Sequence, residues 1–564
     1  MPACDFDPAS EEYADFIVRY STWNPQTLIS LAGNACSHFI TSNYAVIHAR
    51  LADLPPMSIS RYSYNAIPKL YGLLDSSALE NSGILQAVYQ PVLQANGRGV
   101  ILGIIDTGID YTNPLFQNPD QTSRILSIWD QTIPSTEPQE AVTGFQPLYG
   151  TVYSQEQINQ ALAAEQPFNQ IPSQDTNGHG TILASIAAGN SVTQPFVFSG
   201  AAPNADLAIV KLKPTKQYLR DFFLIQPDVP AYQENDIMAG ISFLLGLAAK
   251  YLRPLVILLG LGTSQGNHDG SSPLGFQLQS LRGVNGLSVV AGAGNETGYS
   301  HHFFGSSDSD QSYTEAELRV GSNEPGFCLE FWASGPELYT VGFVSPSGEV
   351  IHPIPLALGS DVTIPFRLDA SAITINYQLY EAGSGNQLIF MRFQTPAQGI
   401  WRIRIYPTAP VSGTFHMWLP IHSFISDDTI FLRSDPDTTI TDPGNVPMVL
   451  TVGAYNHQNN SIYIHSSRGF TSSNSIKPDL AAPGIEIQTP FGTRTGTSVA
   501  SAFAAGAAAD LLTWAITDQN NETAGSASIK SLLIRGADRN PDFSYPNRQW
   551  GYGTLNLYQS FQRL

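Results

Sequence analysis

The feature of this sequence that most restricts its fold is an alternation of short apolar runs with helical segments. Four runs are almost wholly apolar, as is typical of strands buried on both faces of a parallel sheet, and they lie at residues 99–105, 207–212, 255–260 and 287–292. Helical patterns stand between them, at 234–252 and 276–282. This strand–helix–strand order predicts an α/β fold with a doubly wound, mostly parallel sheet.

The character of the sequence changes between residues 312 and 425. Aromatic and β-branched runs follow one another there at short intervals between turns, a pattern typical of antiparallel sandwiches. The α/β pattern resumes afterwards, at 438–455. We therefore predict that 312–425 form an inserted antiparallel β-sandwich of jelly-roll-like type.

The N-terminal region is predicted to form a small α+β unit. Its strand-like runs lie at 13–20, 44–51 and 60–66. A chain of 564 residues has room for more than one core, since single cores stop growing near ~250–300 residues. We predict three domains, which comprise residues 1–75, residues 76–311 with 426–564, and residues 312–425.

Composition excludes several classes of function. Charged residues make up 13% of the chain and hydrophobic residues 42%, which indicates a globular protein. Acidic residues outnumber basic ones, 47 to 27, and no Lys/Arg run occurs, so we expect no nucleic-acid partner. The most apolar window, 241–262, is interrupted by Lys250, Arg253 and Pro254, and no signal peptide is visible, so we expect neither a membrane span nor export by that route.

The cysteines and the histidine pair His301–His302 give little sign of a metal centre. Cys4, Cys36 and Cys328 are odd in number and scattered, so we expect incidental packing residues, with neither a disulfide framework nor a metal-ligand pattern. The two adjacent histidines could bind a metal but have the setting of surface or loop residues. We expect no metal site and no required cofactor; a structural Ca²⁺ ion is neither indicated nor excluded.

Two polar side chains follow predicted strands at the same edge of the sheet. Asp106 ends the run 99–105 in the sequence Asp-Thr-Gly, and Asn295 follows the run 287–292 in the sequence Ala-Gly-Asn. The carboxyl ends of parallel strands are where open α/β sheets place their active sites. Asp106 could instead cap a turn, and Asn295 could be a turn former.

Two further residues open predicted helices. His179 stands between two glycines at the start of one helix, and Ser498 stands at the start of a long small-residue helix, where the helix dipole favours negative charge. Thr497 and Ser498 could instead be N-cap residues only. A serine hydroxyl becomes a useful nucleophile when a base takes its proton and a third group orients that base, and Ser498, His179 and Asp106 supply these three roles.

The motifs together resemble those of the subtilisin-like serine proteases. They comprise Asp-Thr-Gly at 106–108, Asn-Gly-His-Gly-Thr at 177–181, Ala-Gly-Asn at 293–295, Gly-Thr-Ser at 496–498 and Gly-Tyr-Gly-Thr-Leu-Asn at 551–556. The resemblance implies a serine endopeptidase with Asp106, His179 and Ser498 as catalytic triad and Asn295 as oxyanion donor. The chain departs from the usual pattern at Ala502, where subtilisins commonly have proline, and at Ile182-Leu183 after the histidine motif; neither change removes a reacting group.

The substrate and the N-terminal unit are predicted to meet at one segment. Leu259, Gly260, Leu261 and Gly262 carry little side chain that would block a peptide, so a substrate could pair with them as an added strand. Within the family, residues 1–75 are interpreted as a prodomain that occupies the cleft. We expect autocleavage to give a second chain that starts between Gly72 and Ser77.

A narrower resemblance is to the Csp-type spore germination proteases of clostridia. It rests on Asp-Tyr-Thr-Asn-Pro at 110–114, on residues 262–270 and on the β-insert between Asn295 and Ser498. It implies a retained prodomain, a spore cortex-lytic enzyme zymogen as substrate, and association with spores; otherwise cytoplasmic synthesis is expected. The alternative is a pseudoprotease or binding scaffold that acts through partner contact, as some members of that group are.

Overall fold

The computed structural model of the chain describes residues 4, 6–20, 36–74, 96–135, 139, 141–193, 197–307, 311–357 and 359–564. Within these residues, nine strands form the central sheet. Eight of them lie in the order Ser461–Ile462, Leu450–Asn456, Leu287–Gly292, Leu255–Leu259, Ile101–Asp106, Asp206–Lys211, Ile125–Asp130 and Thr151–Ser154, and Leu480–Pro483 pairs beside Leu450–Asn456. All pairs are parallel except those of the two short edge strands. The predicted α/β fold with a mostly parallel sheet is confirmed.

Helices pack against both faces of this sheet. Those described are Gln155–Leu162, His179–Ala188, Gln217–Phe223, Glu234–Tyr251, Pro273–Ser280, Thr497–Leu512, Ser526–Gly536 and Leu557–Gln562. Alternate side chains of one central strand enter two different cores, because Leu102 and Ile104 belong to one and Ile101 and Ile105 to the other. Burial on both faces is the reason why the strand is apolar at successive positions.

Shorter elements connect these. The 3₁₀ helices are Leu51–Asp53, Tyr64–Ala66, Pro114–Phe116, Pro167–Asn169 and His422–Phe424, and a π-helical turn covers Thr513–Thr517. A hairpin pairs Ile487–Thr489 with Gly492–Arg494. Within the described part of the chain, only the helical stretch Thr497–Thr517 has the length and apolar composition to cross a membrane, and 89% of its apolar window is buried inside the protein.

The N-terminal unit contains a three-stranded antiparallel sheet. Its order is Tyr13–Arg19, Tyr44–Arg50 and Cys36–Phe39, which agrees with two of the three predicted runs. The strand prediction for 60–66 is wrong: this stretch is a turn followed by the 3₁₀ helix Tyr64–Ala66, and the Ser60 N–H bonds locally to the Ser58 hydroxyl. The expectation of unpaired cysteines is also wrong, because Cys4 and Cys36 form a disulfide.

Two antiparallel sheets interrupt the α/β unit. One has the order His302–Ser306, Thr414–Trp418, Gly326–Ala333, Gln387–Gln394, Ser371–Gln378 and Val362–Phe366, and the other the order Val350–Ile351, Leu338–Val344, Gly399–Ala409, Thr314–Val320 and Ile430–Phe431. Both contribute side chains to one apolar core. The sheets extend on both sides of 312–425, because short strands at 302–306 and 430–431 gain partners that are remote in sequence. The division into three domains and the jelly-roll-like type stay predictions.

One buried carboxylate touches three parts of the chain. Glu330 lies on the strand Gly326–Ala333 and is 3% exposed. Both of its oxygens accept from the Tyr64 hydroxyl of the N-terminal unit, at 2.8 Å. Its Oε2 also accepts from the backbone N–H of Gly266 at 2.9 Å and from the Trp332 indole at 3.0 Å. The inserted sheets therefore contact both the N-terminal unit and the loop after residue 262.

Candidate active site

Asp106 and His179 are brought together by a strand end and a helix start. Asp106 is the last residue of the strand Ile101–Asp106, and His179 is the first residue of the helix His179–Ala188. The Nδ1–H of His179 bonds to Asp106 Oδ1 at 2.7 Å, and the same oxygen accepts from the Thr107 N–H at 2.8 Å. The carboxylate thus holds the ring with Nε2 directed away from it, which is the tautomer that a general base needs.

Ser498 completes the hydrogen-bonded series. It is the second residue of the helix Thr497–Leu512, and its Oγ lies 3.3 Å from Nε2 of His179. All three side chains are buried, with exposed fractions of 1% for Asp106, 5% for His179 and 0% for Ser498. The structure therefore brings the three predicted residues into the order carboxylate, imidazole, hydroxyl.

Asn295 lies beside the start of the same helix. Its side-chain oxygen accepts from the backbone N–H of Thr497 at 3.1 Å, and the residue is 5% exposed. With the oxygen fixed in this way, the amino group is the end of the amide that serves as a donor. This orientation suits a donor to negative charge near Ser498, as the sequence predicts.

Gly260 lies so close to Asp106, His179 and Leu183 that no larger side chain fits there. A Cβ atom there would lie 2.4 Å from Leu183 Cδ1, 2.9 Å from Asp106 Oδ2 and 3.1 Å from His179 Cε1. Glycine is the residue that leaves this space to the carboxylate and the imidazole. The backbone of Gly260 therefore lies next to the site.

A strand from the end of the N-terminal unit lies in the cleft. Leu70–Leu73 pairs antiparallel with Leu261–Gly262 on one side and with Tyr232–Gln233 on the other, and the Leu74 N–H bonds to the Gly260 oxygen at 3.1 Å. The prediction that a peptide adds to this segment agrees with the pairing at residues 260–262.

Leu259 corrects that prediction at one position. It belongs to the central strand Leu255–Leu259, where it pairs with Ile105 and Ala291 on its two sides. Its backbone is thus used within the sheet, and its side chain is 1% exposed. Leu259 therefore lies within the central sheet and does not pair with a peptide in the cleft.

The carbonyl group of Leu74 lies at the imidazole. Its oxygen is 3.0 Å from His179 Nε2, the nitrogen that also faces Ser498 Oγ. The Leu74 side chain is 1% exposed, and its Cδ1 approaches Gly292 at the end of a central strand. The residues that follow, 75–95, lie outside the described part of the chain, so the predicted start of a second chain between Gly72 and Ser77 falls partly there.

A buried polar cluster ties the N-terminal unit to the α/β body. Asp15 accepts from Lys216 Nζ at 2.8 Å, from His48 Nδ1 at 2.7 Å and from Gln233 Nε2 at 2.8 Å. Asp15 and Lys216 are 1% and 0% exposed. The sequence offers no signal for this contact, because Lys216 and Gln233 lie 201 and 218 positions from Asp15.

The histidines proposed as surface residues are buried. His301 is 4% and His302 1% exposed; His301 lies 3.4 Å from Glu296 and His302 bonds to His416 at 2.9 Å. Burial lowers the pKa of His302 to about 3, so this side chain stays neutral in the interior. Within the described residues, no group of three or more His, Cys, Asp or Glu side chains could hold a metal ion.

Comparison with known proteins identifies the fold as a familiar one. Residues 97–324 and 429–553 match the sequence model of the subtilase family. The chain belongs to this family. The unmatched residues between these two parts coincide with most of the two antiparallel sheets. The resemblance drawn from the motifs is confirmed.

Individual relatives agree with this assignment. The solved structure of the CspB protease of Clostridium perfringens is 29% identical, with a TM-score of 0.74 over 85% of this chain and 95% of that one. This subtilase is 30% identical to the subtilisin-like protease SBT2.2 of Arabidopsis thaliana over 197 residues, and 33% identical to the serine protease AprX of Bacillus subtilis over 154 residues. The alignment with SBT2.2 covers 32% of this chain and 21% of that protein, and the alignment with AprX covers 23% of this chain and 33% of that protein. The chain therefore spans about a fifth to a third of the length of these curated relatives.

Proposed function

We propose that this subtilase is a serine endopeptidase that cleaves its own N-terminal unit after Leu74 and then acts on other proteins. The observation that carries the proposal is the position of the Leu74 carbonyl, 3.0 Å from the His179 nitrogen that faces the Ser498 hydroxyl. An extended peptide thus presents a carbonyl group where the nucleophile and its base meet. The intact set of reacting groups favours this function over that of a pseudoprotease.

The reaction follows from the roles of the side chains. Ser498 Oγ attacks the carbonyl carbon of the peptide bond, and His179 Nε2 takes the hydroxyl proton and later gives it to the leaving amine. Asp106 stabilises the positive charge that develops on the ring. Asn295 and the Ser498 backbone N–H donate to the oxygen of the tetrahedral intermediate, and each such donor contributes roughly 10²- to 10³-fold in rate. Water then releases the acyl group from Ser498.

Residues 1–74 have, in this proposal, the role of a prodomain that remains after cleavage. Because the segment is held in the cleft by strand pairing on both sides, the first cleavage is intramolecular and has a high effective molarity. The ion pair of Asp15 with Lys216 then holds the cleaved unit in place. The tail that ends at Leu74 would act as a product-like inhibitor.

One variant and one matched control variant test the autocleavage. Wild-type protein and Ser185→Ala should each contain a second chain starting at Asp75, whereas Ser498→Ala should remain a single chain. Ser185 is a suitable control because it is equally buried on the helix His179–Ala188 and bonds only to a local carbonyl. N-terminal sequencing and intact mass identify the chains. A cleaved Ser498→Ala protein, or an uncut wild type, would contradict the proposal.

The resemblance to Csp-type proteases motivates a physiological role. We propose that the substrate is a spore cortex-lytic enzyme zymogen and that the protein is associated with spores. The similarity to the CspB protease over most of both chains supports this choice. A host strain that carries Ser498→Ala in place of the wild-type gene should fail to process the zymogen and should germinate poorly. Normal germination in that strain would favour the scaffold function, in which contact and not catalysis matters.

A further inference from the structure

The cleft contains a buried carboxylate that the reaction does not use. Counted back from the bond after Leu74, the tail residues Leu74, Leu73, Gly72 and Tyr71 occupy positions P1 to P4. The Tyr71 side chain is 0% exposed, and its hydroxyl donates to Asp442 Oδ2 at 2.8 Å. Asp442 itself is 4% exposed. The P4 side chain thus ends on a charged group that is closed off from water.

Asp442 is fixed in place relative to the cleft. Its backbone exchanges two hydrogen bonds with Thr263, at 2.9 and 3.1 Å, directly after the strand that pairs with the tail. The Ser272 hydroxyl donates to the same carboxylate oxygen at 2.6 Å. Ser272 leaves that oxygen with room for one more donor, and the Tyr71 hydroxyl supplies it.

The neighbouring position admits a very small residue. A Cβ atom on Gly72 would lie 2.4 Å from Ile421 Cδ1, 3.1 Å from Ser423 Oγ and 3.4 Å from Phe424 Cε1. Ile421 and Phe424 are 2% and 4% exposed and belong to one apolar cluster, so neither side chain can move aside freely. These residues follow the last long strand of the inserted sheets, which therefore form one wall of the cleft.

We propose that Asp442 is a specificity-determining residue that recognises the hydroxyl group of a P4 tyrosine, and that Ile421 restricts P3 to glycine. The proposal rests on the protease function above and narrows its substrates to proteins that present an extended segment with Tyr at P4 and Gly at P3. A substrate with phenylalanine at P4 would leave the buried carboxylate short of a donor. Sites that bind a substrate hydroxyl in this way reject the analogue that lacks it much more strongly than apolar pockets reject a missing methylene.

The size of the effect follows from the contact. A hydrogen bond to a charged group, when lost, lowers binding by about 10- to 100-fold. Because Ser272 still donates to Asp442, we expect this range and not the larger losses of a fully unpaired carboxylate. For P3, the most severe conflict is with Ile421 Cδ1, ahead of the closer-than-usual approach of Ser423 Oγ, and Ile421→Val removes Cδ1 alone.

The test uses the purified full-length protein with three quenched fluorescent peptides. Their P4–P1 sequences are Tyr-Gly-Leu-Leu, Phe-Gly-Leu-Leu and Tyr-Ala-Leu-Leu, each followed by Asp-Ser. The bound tail competes with every peptide equally, so the ratios of kcat/KM report specificity. Wild type should prefer the first peptide about 10- to 100-fold over each of the other two. Asp442→Ala, which removes the acceptor, should reduce the Tyr/Phe ratio to below about threefold, and Ile421→Val should raise cleavage of the alanine peptide without changing the Tyr/Phe ratio.

Self-cleavage in the same samples distinguishes a failure of the specificity proposal from a failure of the protease function. Protein that cuts its own tail but cuts the tyrosine and phenylalanine peptides alike, or cuts neither, overturns the specificity proposal and leaves the protease function standing. An Asp442→Ala protein that retains the wild-type ratio also overturns the role of Asp442. Wild type that cuts neither its tail nor any peptide removes the protease function itself.

Discussion

Replacing Lys216 by methionine should loosen the hold of the α/β body on the N-terminal unit. Lys216 Nζ donates to Asp15 Oδ1 at 2.8 Å and to the carbonyl oxygens of Pro8 and Tyr13 at 2.6 and 2.9 Å. Burial alone would raise the pKa of Asp15, but the Lys216 charge and the His48 hydrogen bond outweigh it and hold that pKa below its usual range. Asp15 therefore stays ionised, and the substitution leaves a buried carboxylate without its cation.

The magnitude follows from the burial of this pair. Deleting one partner of a buried ion pair costs about 3–5 kcal/mol. His48 and Gln233 still donate to Asp15, so we expect the lower end, ~3 kcal/mol. At 1.36 kcal/mol for each factor of ten, the dissociation constant of the cleaved N-terminal unit should rise by about 10²-fold.

The assay follows the two chains after autocleavage. The N-terminal unit and the remainder are labelled with a donor and an acceptor dye, and loss of energy transfer on dilution gives the dissociation constant. Lys250→Met is the matched control, because Lys250 is exposed on the helix Glu234–Tyr251; its constant should equal that of wild type. The double variant Asp15→Leu/Lys216→Met should regain affinity, since it removes both charges of this pair and leaves neither without its partner. An unchanged constant in Lys216→Met, with thermal unfolding also unchanged, would refute the reasoning.

Three further predictions concern catalysis and stability. Asp106→Asn should lower kcat for peptide hydrolysis by about 10⁴-fold because the His179 ring loses its correct tautomer; a loss below tenfold would contradict the role of Asp106. Asn295→Ala should lower kcat by about 10²- to 10³-fold with little change in KM, and a change confined to KM would exclude an oxyanion donor. Burial lowers the pKa of His38 and His302 to about 3, that of His268 to about 4 and that of His416 below its usual range, and it raises the pKa of Asp442 to about 6. Between pH 6.5 and 4 the unfolded chain therefore takes up protons at these four histidines that the folded protein does not, and Asp442 offsets one of them. The free energy of unfolding should fall as pH is lowered, by up to ~1.4 kcal/mol per pH unit for each net proton; equal urea midpoints at pH 7 and 5 would contradict this.

The parts of the fold that sequence could predict are those with a local cause. A strand buried on both faces needs successive apolar residues, so the strands Ile101–Asp106 and Leu287–Gly292 stand out in a window of a few positions. Asp106, His179 and Ser498 each sit in a short motif at a strand end or a helix start, so their convergence follows from the sheet. Their catalytic roles stay predictions until the variants are measured.

The parts that sequence missed depend on contacts between distant positions. Asp442 and Tyr71 form a hydrogen bond although they are 371 positions apart in the sequence, and the residues around each of them give no sign of that contact. His302 is expected from the sequence to lie in a loop or at the surface, but pairing with the remote strand Thr414–Trp418 buries it. Leu259 and Gly260 are adjacent in sequence, yet the first is held within the sheet and the second faces the cleft.

The contact between Glu330 and Tyr64 links the evolution of the inserted sheets to that of the N-terminal unit. Glu330 is buried, and the tyrosine hydroxyl from the N-terminal unit is one of the donors that satisfy it. An N-terminal unit borrowed from a relative that lacks a hydroxyl at this place would leave a carboxylate poorly paired inside the inserted sheets, a cost that selection acts on. The inserted sheets and the N-terminal unit should therefore be gained, kept and lost together among relatives, and chimeras that exchange only one of them should fold poorly.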